Sequence, residues 1–219
     1  MMWQAAAPGE GGAAALAAVT QSIELMVAVR PNFHQPALFA KAAANIDTIA
    51  GGRLALNVVS SWWAKEATSY GLQFDEHDDR YARTSEWLQV VDGLWREPQF
   101  SFSGRYYNLD QAIVEPKPVK KPRPVLYAGG ESDAAKTMIA RQCDAYVMHG
   151  DTPEHIKAKI ADMRERRERE GLPPGREFIR LVREAARGSL RGPFNRPARH
   201  AAGFDDYEMS DLEAMEPAR

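Results

Sequence analysis

Four short apolar runs, each followed by a stretch with helical spacing, constrain this chain more than any other feature. They are IELMVAV (Ile23–Val29), RLALNVV (Arg53–Val59), PVLYAGG (Pro124–Gly130) and DAYVMHG (Asp144–Gly150). None alternates strictly between apolar and polar residues, which points to strands covered on both faces, as in a parallel sheet. Helical patterns lie between them. PALFAKAAANIDTIAGG (Pro36–Gly52) opens with Pro and stops at a Gly pair. DDRYARTSEWLQVVDGLWRE (Asp78–Glu97) sets Tyr81, Trp87, Leu88, Val91, Leu94 and Trp95 along one stripe. Ser132–Cys143 and Thr152–Glu170 complete the series, the last opening Thr-Pro-Glu as an N-cap with an acid in the first turn. The order β, α, β, α, insertion, β, α, β, α predicts right-handed βαβ units and a parallel sheet. The insertion, Phe100–Pro124, reads as an extended or hairpin segment with Gly104 at a turn. Two α/β folds fit, a doubly wound sheet and a (β/α)8 barrel. The absence of a Gly-rich dinucleotide fingerprint after the first strands weakens the former.

Composition narrows the function. A net charge of −2 offers no global field for nucleic acid. The single cysteine, Cys143, precludes an internal disulfide and fits a reducing compartment. No apolar run approaches the roughly 18–20 residues of a membrane span. The Ala-rich start has no basic n-region, so a cytoplasmic, soluble protein is expected. Beyond Pro174 the chain turns to Arg, Ala, Gly and Pro with no strand pattern, and the expected division is a domain at 13–174 and a weakly ordered tail at 175–219.

In parallel α/β folds, chemistry gathers at the carboxyl edge of the strands. The residues to weigh there are Arg30, Pro31 and Asn32; Ser60, Ser61, Trp62 and Trp63; the GGES turn, Gly129–Ser132; and His149. The glycines allow close backbone approach, and Ser132 opens a helix whose free N–H groups favour an anion; the same serine equally serves as a simple cap. Trp62 and Trp63 are either packing or a stacking wall for a planar ligand. His149 is either a base or a satisfied structural histidine. His77, amid DEHDDRY, matches no metal motif, and no metal site is expected. Arg164, Arg166, Arg167 and Arg169 alternate with glutamates, as on a solvated helix face. Cys143, at an apolar helix end, is expected to be buried and inert.

Taken together, several motifs carry a resemblance: LMVAVRPNFHQPALFAKAAANIDTIAGGRLALNVVSSWW, FDEHDDRYARTSEWLQVVDGLW, EPKPVKKPRPVLYAGGESDAAK and CDAYVMHGDTPEHIKAKI. In order and spacing they resemble the bacterial-luciferase-like flavin monooxygenases, nearest the branch of dimethyl sulfone and alkanesulfonate monooxygenases. The resemblance implies a partial TIM-type (β/α)8 barrel in which the four visible strands are the third to sixth. It makes the chain a fragment lacking the first two βα units and the last two. It implies FMN, used as FMNH2, with O2 and a flavin peroxide as oxidant. The reaction would cleave dimethyl sulfone to methanesulfinate and formaldehyde. A separate NAD(P)H-dependent flavin reductase would be the partner, and the complete protein would be a homo-oligomer. Carried over residue by residue, the flavin contacts are Asn57, Glu66, Arg80, Tyr81, Gly130 and Ser132; the catalytic residues stay open, with Trp62, Trp63 and His149 as candidates. Two alternatives remain within this resemblance: an F420-dependent oxidoreductase of the same superfamily, and a non-catalytic truncated barrel.

Overall fold

The computed structural model describes residues 10–60, 63–148 and 152–173. Helix α1 (Glu10–Val19) leads into strand β1 (Leu25–Val29), a single 3-10 turn (Pro31–Phe33) and helix α2 (Pro36–Ala50). Strand β2 (Leu54–Val58) is followed by the short helix α3 (Ala64–Ser69) and the long helix α4 (His77–Arg96). A hairpin of β3 (Phe100–Ser103) and β4 (Asn108–Ala112) precedes β5 (Val125–Gly129), α5 (Asp133–Gln142), β6 (Ala145–Val147) and α6 (Pro153–Arg169).

The four expected strands form one parallel sheet in the order β1-β2-β5-β6. The sheet is open, so the described residues make a partial barrel with β1 and β6 as edges. The expected hairpin is present, and Gly104 lies at its turn, its N–H donating to the Tyr107 carbonyl at 2.9 Å. Helix α2 ends at the Gly pair: Gly51 takes φ 63°, and the Gly51 and Gly52 N–H groups satisfy the Thr48 and Asp47 carbonyls.

Strand register decides which side chains meet the helices. Leu54, Leu56 and Val58 of β2 share a face with Val29, Leu126, Ala128 and Tyr146, and all are buried in one cluster with Phe39, Trp87, Leu94 and Trp95 from the helices. The other face carries Met26, Ala28, Asn57 and Tyr127, and Met26 is 54% exposed. Strand β2 is covered on both faces, with Leu54, Ala55, Leu56 and Val58 all buried, whereas the edge strand β1 leaves Met26 open. On the second face β2 and β5 carry the small or mildly apolar Ala55 and Val125, so the runs read as continuous in sequence.

Three polar connections hold the layers, and none announces itself as a motif. Buried Asp47 accepts from the Leu54 N–H at 3.2 Å and the Lys120 N–H at 2.9 Å, joining α2 to β2 and to the segment entering β5. Arg53 donates to the carbonyls of Ala17, Thr20, Ile23 and Ala50, pinning the end of α1 beside the sheet. Glu86 of α4 accepts from the N–H groups of Arg105, Tyr106 and Tyr107, which docks the hairpin turn. Helix α6 also departs from expectation. Arg167 is 9% exposed and donates to the Ala140 and Cys143 carbonyls, while Arg166 pairs with Asp162 and Asp133. Burying a guanidinium is tolerable where backbone carbonyls accept its protons, so this arginine row is partly a packing surface.

Candidate functional site

At the carboxyl edge of the sheet, parallel register sets Asn57 opposite Ala28 on one side and Tyr127 on the other. The N–H of Val59 donates to the Val29 carbonyl at 2.8 Å, so Ser60 and the turn after β1 leave the sheet side by side. Here polar atoms are buried without partners: Asn32 Oδ1 after β1, Asn57 Oδ1 within β2, Ser60 Oγ after it, and Arg80 Nε in the first turn of α4. A buried, unsatisfied polar atom costs about 1–3 kcal/mol, so several along one edge mark a place where a ligand brings its own donors and acceptors.

The end of β5 is shaped around a glycine. Gly130 has φ 150°, a region essentially reserved for glycine. A Cβ there would lie 2.5 Å from Ala135 Cβ and 3.0 Å from the Tyr81 hydroxyl. The Gly130 carbonyl accepts from the Tyr146 hydroxyl at 2.9 Å. Burial first, then the Glu131 carboxylate, push that phenol far above its ordinary range, so it stays a donor at any working pH. Ser132 caps α5, its Oγ accepting from the Ala135 N–H at 3.3 Å. Tyr81, Gly130 and the start of α5 are thus brought together.

The other expected residues fall as follows. Arg80 donates to the Asp75 carbonyl at 2.9 Å through Nη1 and stacks 4.6 Å from the Phe74 ring centre, and its Nε is buried without a partner. Glu66 of α3 is 10% exposed and its carboxylate pairs with Arg30 Nη1 at the end of β1. Trp63 is half-buried immediately before α3. His149 and Trp62 lie outside the described residues. Asn32 and Ser60 had only their position after a strand to recommend them, and Tyr146 carried no sequence signal at all.

A cavity of about 270 Å³ lies at the opposite end of the strands, lined in part by Arg123, Arg167, Asp92, Asp144 and Cys143. Arg123 bonds both Asp92 and Asp144, and Arg167 bonds backbone carbonyls, so these charges answer one another and bind the layers together. Burial, reinforced by Asp144 and opposed by Arg123 and Arg167, pushes the Cys143 thiol up to about 12. Ellman's reagent at pH 8 is expected to leave Cys143 unmodified in the native protein and to titrate one thiol in denaturant. Labelling within minutes of the native chain would contradict this burial.

Comparison with known proteins follows the same geometry. Residues 12–183 match the model of a family described as luciferase-like monooxygenase. Over 150 residues the chain is 40% identical to an FMNH2-dependent dimethylsulfone monooxygenase of Pseudomonas putida, covering 68% of this chain and 41% of that protein. A protein with the same description from Pseudomonas fluorescens (strain Pf0-1) matches at 40% identity over the same shares. The chain therefore spans about two-fifths of the length of these relatives. Among solved structures, the EDTA monooxygenase of Chelativorans sp. BNC1 superposes with a TM-score of 0.68 at 24% identity, over 82% of this chain and 50% of that one. At that identity the likeness shows the fold alone.

Proposed function

The chain belongs to the luciferase-like monooxygenase family, and from that premise we propose that it is the flavin-binding part of an FMNH2- and O2-dependent monooxygenase acting on a small organosulfur compound, dimethyl sulfone foremost. The observation that carries this reading is the row of buried, partnerless polar atoms of Asn32, Asn57, Ser60 and Arg80 at the carboxyl edge. Two amide acceptors, a hydroxyl and a guanidinium donor suit a flavin, whose ring edge presents both N–H and C=O groups. The 40% identity to proteins described as FMNH2-dependent dimethylsulfone monooxygenases supports the choice of cofactor and substrate.

In this reading Asn57 and Arg80 meet the ring edge, Tyr81 stands beside them, and Gly130 and Ser132 receive the phosphate end. Gly130 lets backbone approach closely where a side chain would block it, and Ser132 combines its capping bond with a place at a helix N-terminus. Reduced FMN, when bound, supplies the electrons that activate O2. The chain's own part is to hold the ring and keep water away. For dimethyl sulfone, one oxygen atom of O2 enters the substrate and the other leaves as water, with two electrons from FMNH2. Cleavage of a C–S bond gives methanesulfinate and formaldehyde. A separate NAD(P)H-dependent reductase supplies the reduced flavin.

Anaerobic titration with reduced FMN, followed by tryptophan fluorescence, tests the binding. Asn57→Leu is expected to weaken it by about tenfold, the loss of one buried hydrogen bond to the ligand. A parallel assay with a flavin reductase, O2 and dimethyl sulfone reads formaldehyde. Saturable binding of F420 in place of FMN, or equal FMN affinity in Asn57→Leu and the parent chain, would overturn the proposal.

A further inference from the structure

Helix α3 has six residues, too few to persist through its own hydrogen bonds. What holds it is visible on one side. Glu66, in its first turn, is 10% exposed and pairs with Arg30 Nη1, which leaves the end of β1. Arg30 is oriented in turn by Phe33, its guanidinium carbon standing 4.1 Å from the ring centre. Phe33 also meets Tyr70, just past the end of α3, edge to face at 6.1 Å. Tyr70 is 62% exposed, so this ring contact contributes little. Ala67 of the same helix is fully buried but small. A largely buried carboxylate without its cation is costly, and so the ion pair is a principal anchor of α3 among the described contacts.

We infer that Arg30 is a positioning residue: through Glu66 it latches α3 onto the turn that follows β1, beside the partnerless atoms of Asn32, Asn57 and Ser60. Glu66 then acts on the site chiefly by fixing the neighbouring helix, with one carboxylate oxygen already engaged by Arg30. The latch is a property of the chain alone. Its consequence for flavin rests on the function proposed above.

Amide hydrogen exchange of residues 66–72 in the full chain reads the latch directly, without any ligand. Arg30→Met is expected to raise exchange there about fivefold to tenfold, because the opening of a local segment follows the strength of its few anchors. Glu66→Gln should do the same, and the double variant should add nothing beyond the larger single effect, the signature of one shared interaction. Arg30→Lys, which keeps the charge, should return exchange to within about twofold of the parent. Amides of β1 and β2 should keep parental rates in every variant. Unchanged exchange in Arg30→Met, multiplying effects in the double variant, or a rise spread equally over the strands would each overturn the inference. Reduced-FMN affinity, measured on the same variants, should weaken in step with exchange. Should no variant and no parent chain bind flavin, the proposed function falls while exchange still decides the latch.

Discussion

Trp87→Ala is expected to remove about 3–5 kcal/mol of folding stability, seen as a lower urea midpoint with an unchanged slope. That is a large share of the roughly 5–15 kcal/mol that holds a typical domain. Three effects add at this residue. Its side chain is fully buried at the centre of the helix-facing core, so truncation opens a cavity between α4 and the sheet. Its ring packs against Phe39 of α2 at 4.9 Å between centres. Its indole N–H donates to the His34 carbonyl at 2.9 Å, so the variant also strands an acceptor in the turn after β1. Trp87→Phe keeps most of the volume while losing the donor and part of the ring, and should retain more than half of the lost stability. A loss under about 1 kcal/mol for Trp87→Ala would mean that α4 does not anchor the sheet as described.

The same residue shows why some of this fold is legible from sequence. Trp87, Leu88, Val91, Leu94 and Trp95 repeat at helical spacing, and burial on one face requires that pattern. The strands read as strands because Leu54, Leu56 and Val58 must all face the core. Glycine and proline mark the ends of α2 because left-handed backbone and a missing N–H leave few other choices. What was not legible depends on partners distant in sequence. Asp47 reads as a surface residue on a helix until Lys120 donates to it across 73 positions. Arg167 reads as one charge in a solvated row until Ala140 and Cys143 present their carbonyls. Helix α1 carries only a faint signal, Ala13 and Ala17 one turn apart, and α3 is too short to produce a period at all.

The site divides along the same line. Gly130 and Ser132 could be weighed from position alone, at the end of a strand and the start of a helix, where parallel α/β folds place chemistry; Asn57 and Tyr81 are named only through the family resemblance. The geometry then sorts them. Tyr81 meets Gly130, Ser132 caps the adjoining helix, and Asn57 lies one strand away with an empty acceptor. Glu66 is expected with them as a flavin contact, and one of its carboxylate oxygens pairs with Arg30. Nothing local in AKEATS could reveal that, since the partner lies 36 positions earlier.

Gly130→Val is the substitution expected to damage this site most. Its backbone, at φ 150°, is one that a β-branched residue rarely adopts. The added Cβ would press on Ala135 Cβ from 2.5 Å and on the Tyr81 hydroxyl from 3.0 Å. Ala135 is fully buried in α5 and cannot give way without moving the start of that helix. The clash therefore displaces together the groups proposed to hold the phosphate end, the Gly130 backbone and the Ser132 cap, and moves the adjoining Tyr81 with them. FMN affinity should fall by about a hundredfold, or roughly 2.7 kcal/mol. Riboflavin, which lacks the phosphate, separates this effect from a general loss of binding. Gly130→Val should erode the preference for FMN over riboflavin, whereas Asn57→Leu should weaken both ligands alike and leave the preference intact. Ser132→Ala should shift the preference in the same direction as Gly130→Val but by less, because backbone N–H groups at the start of α5 remain. If Gly130→Val lowered affinity for both ligands equally while the helix amides of α5 exchanged at parental rates, the phosphate end would have to be sought at another turn of the carboxyl edge.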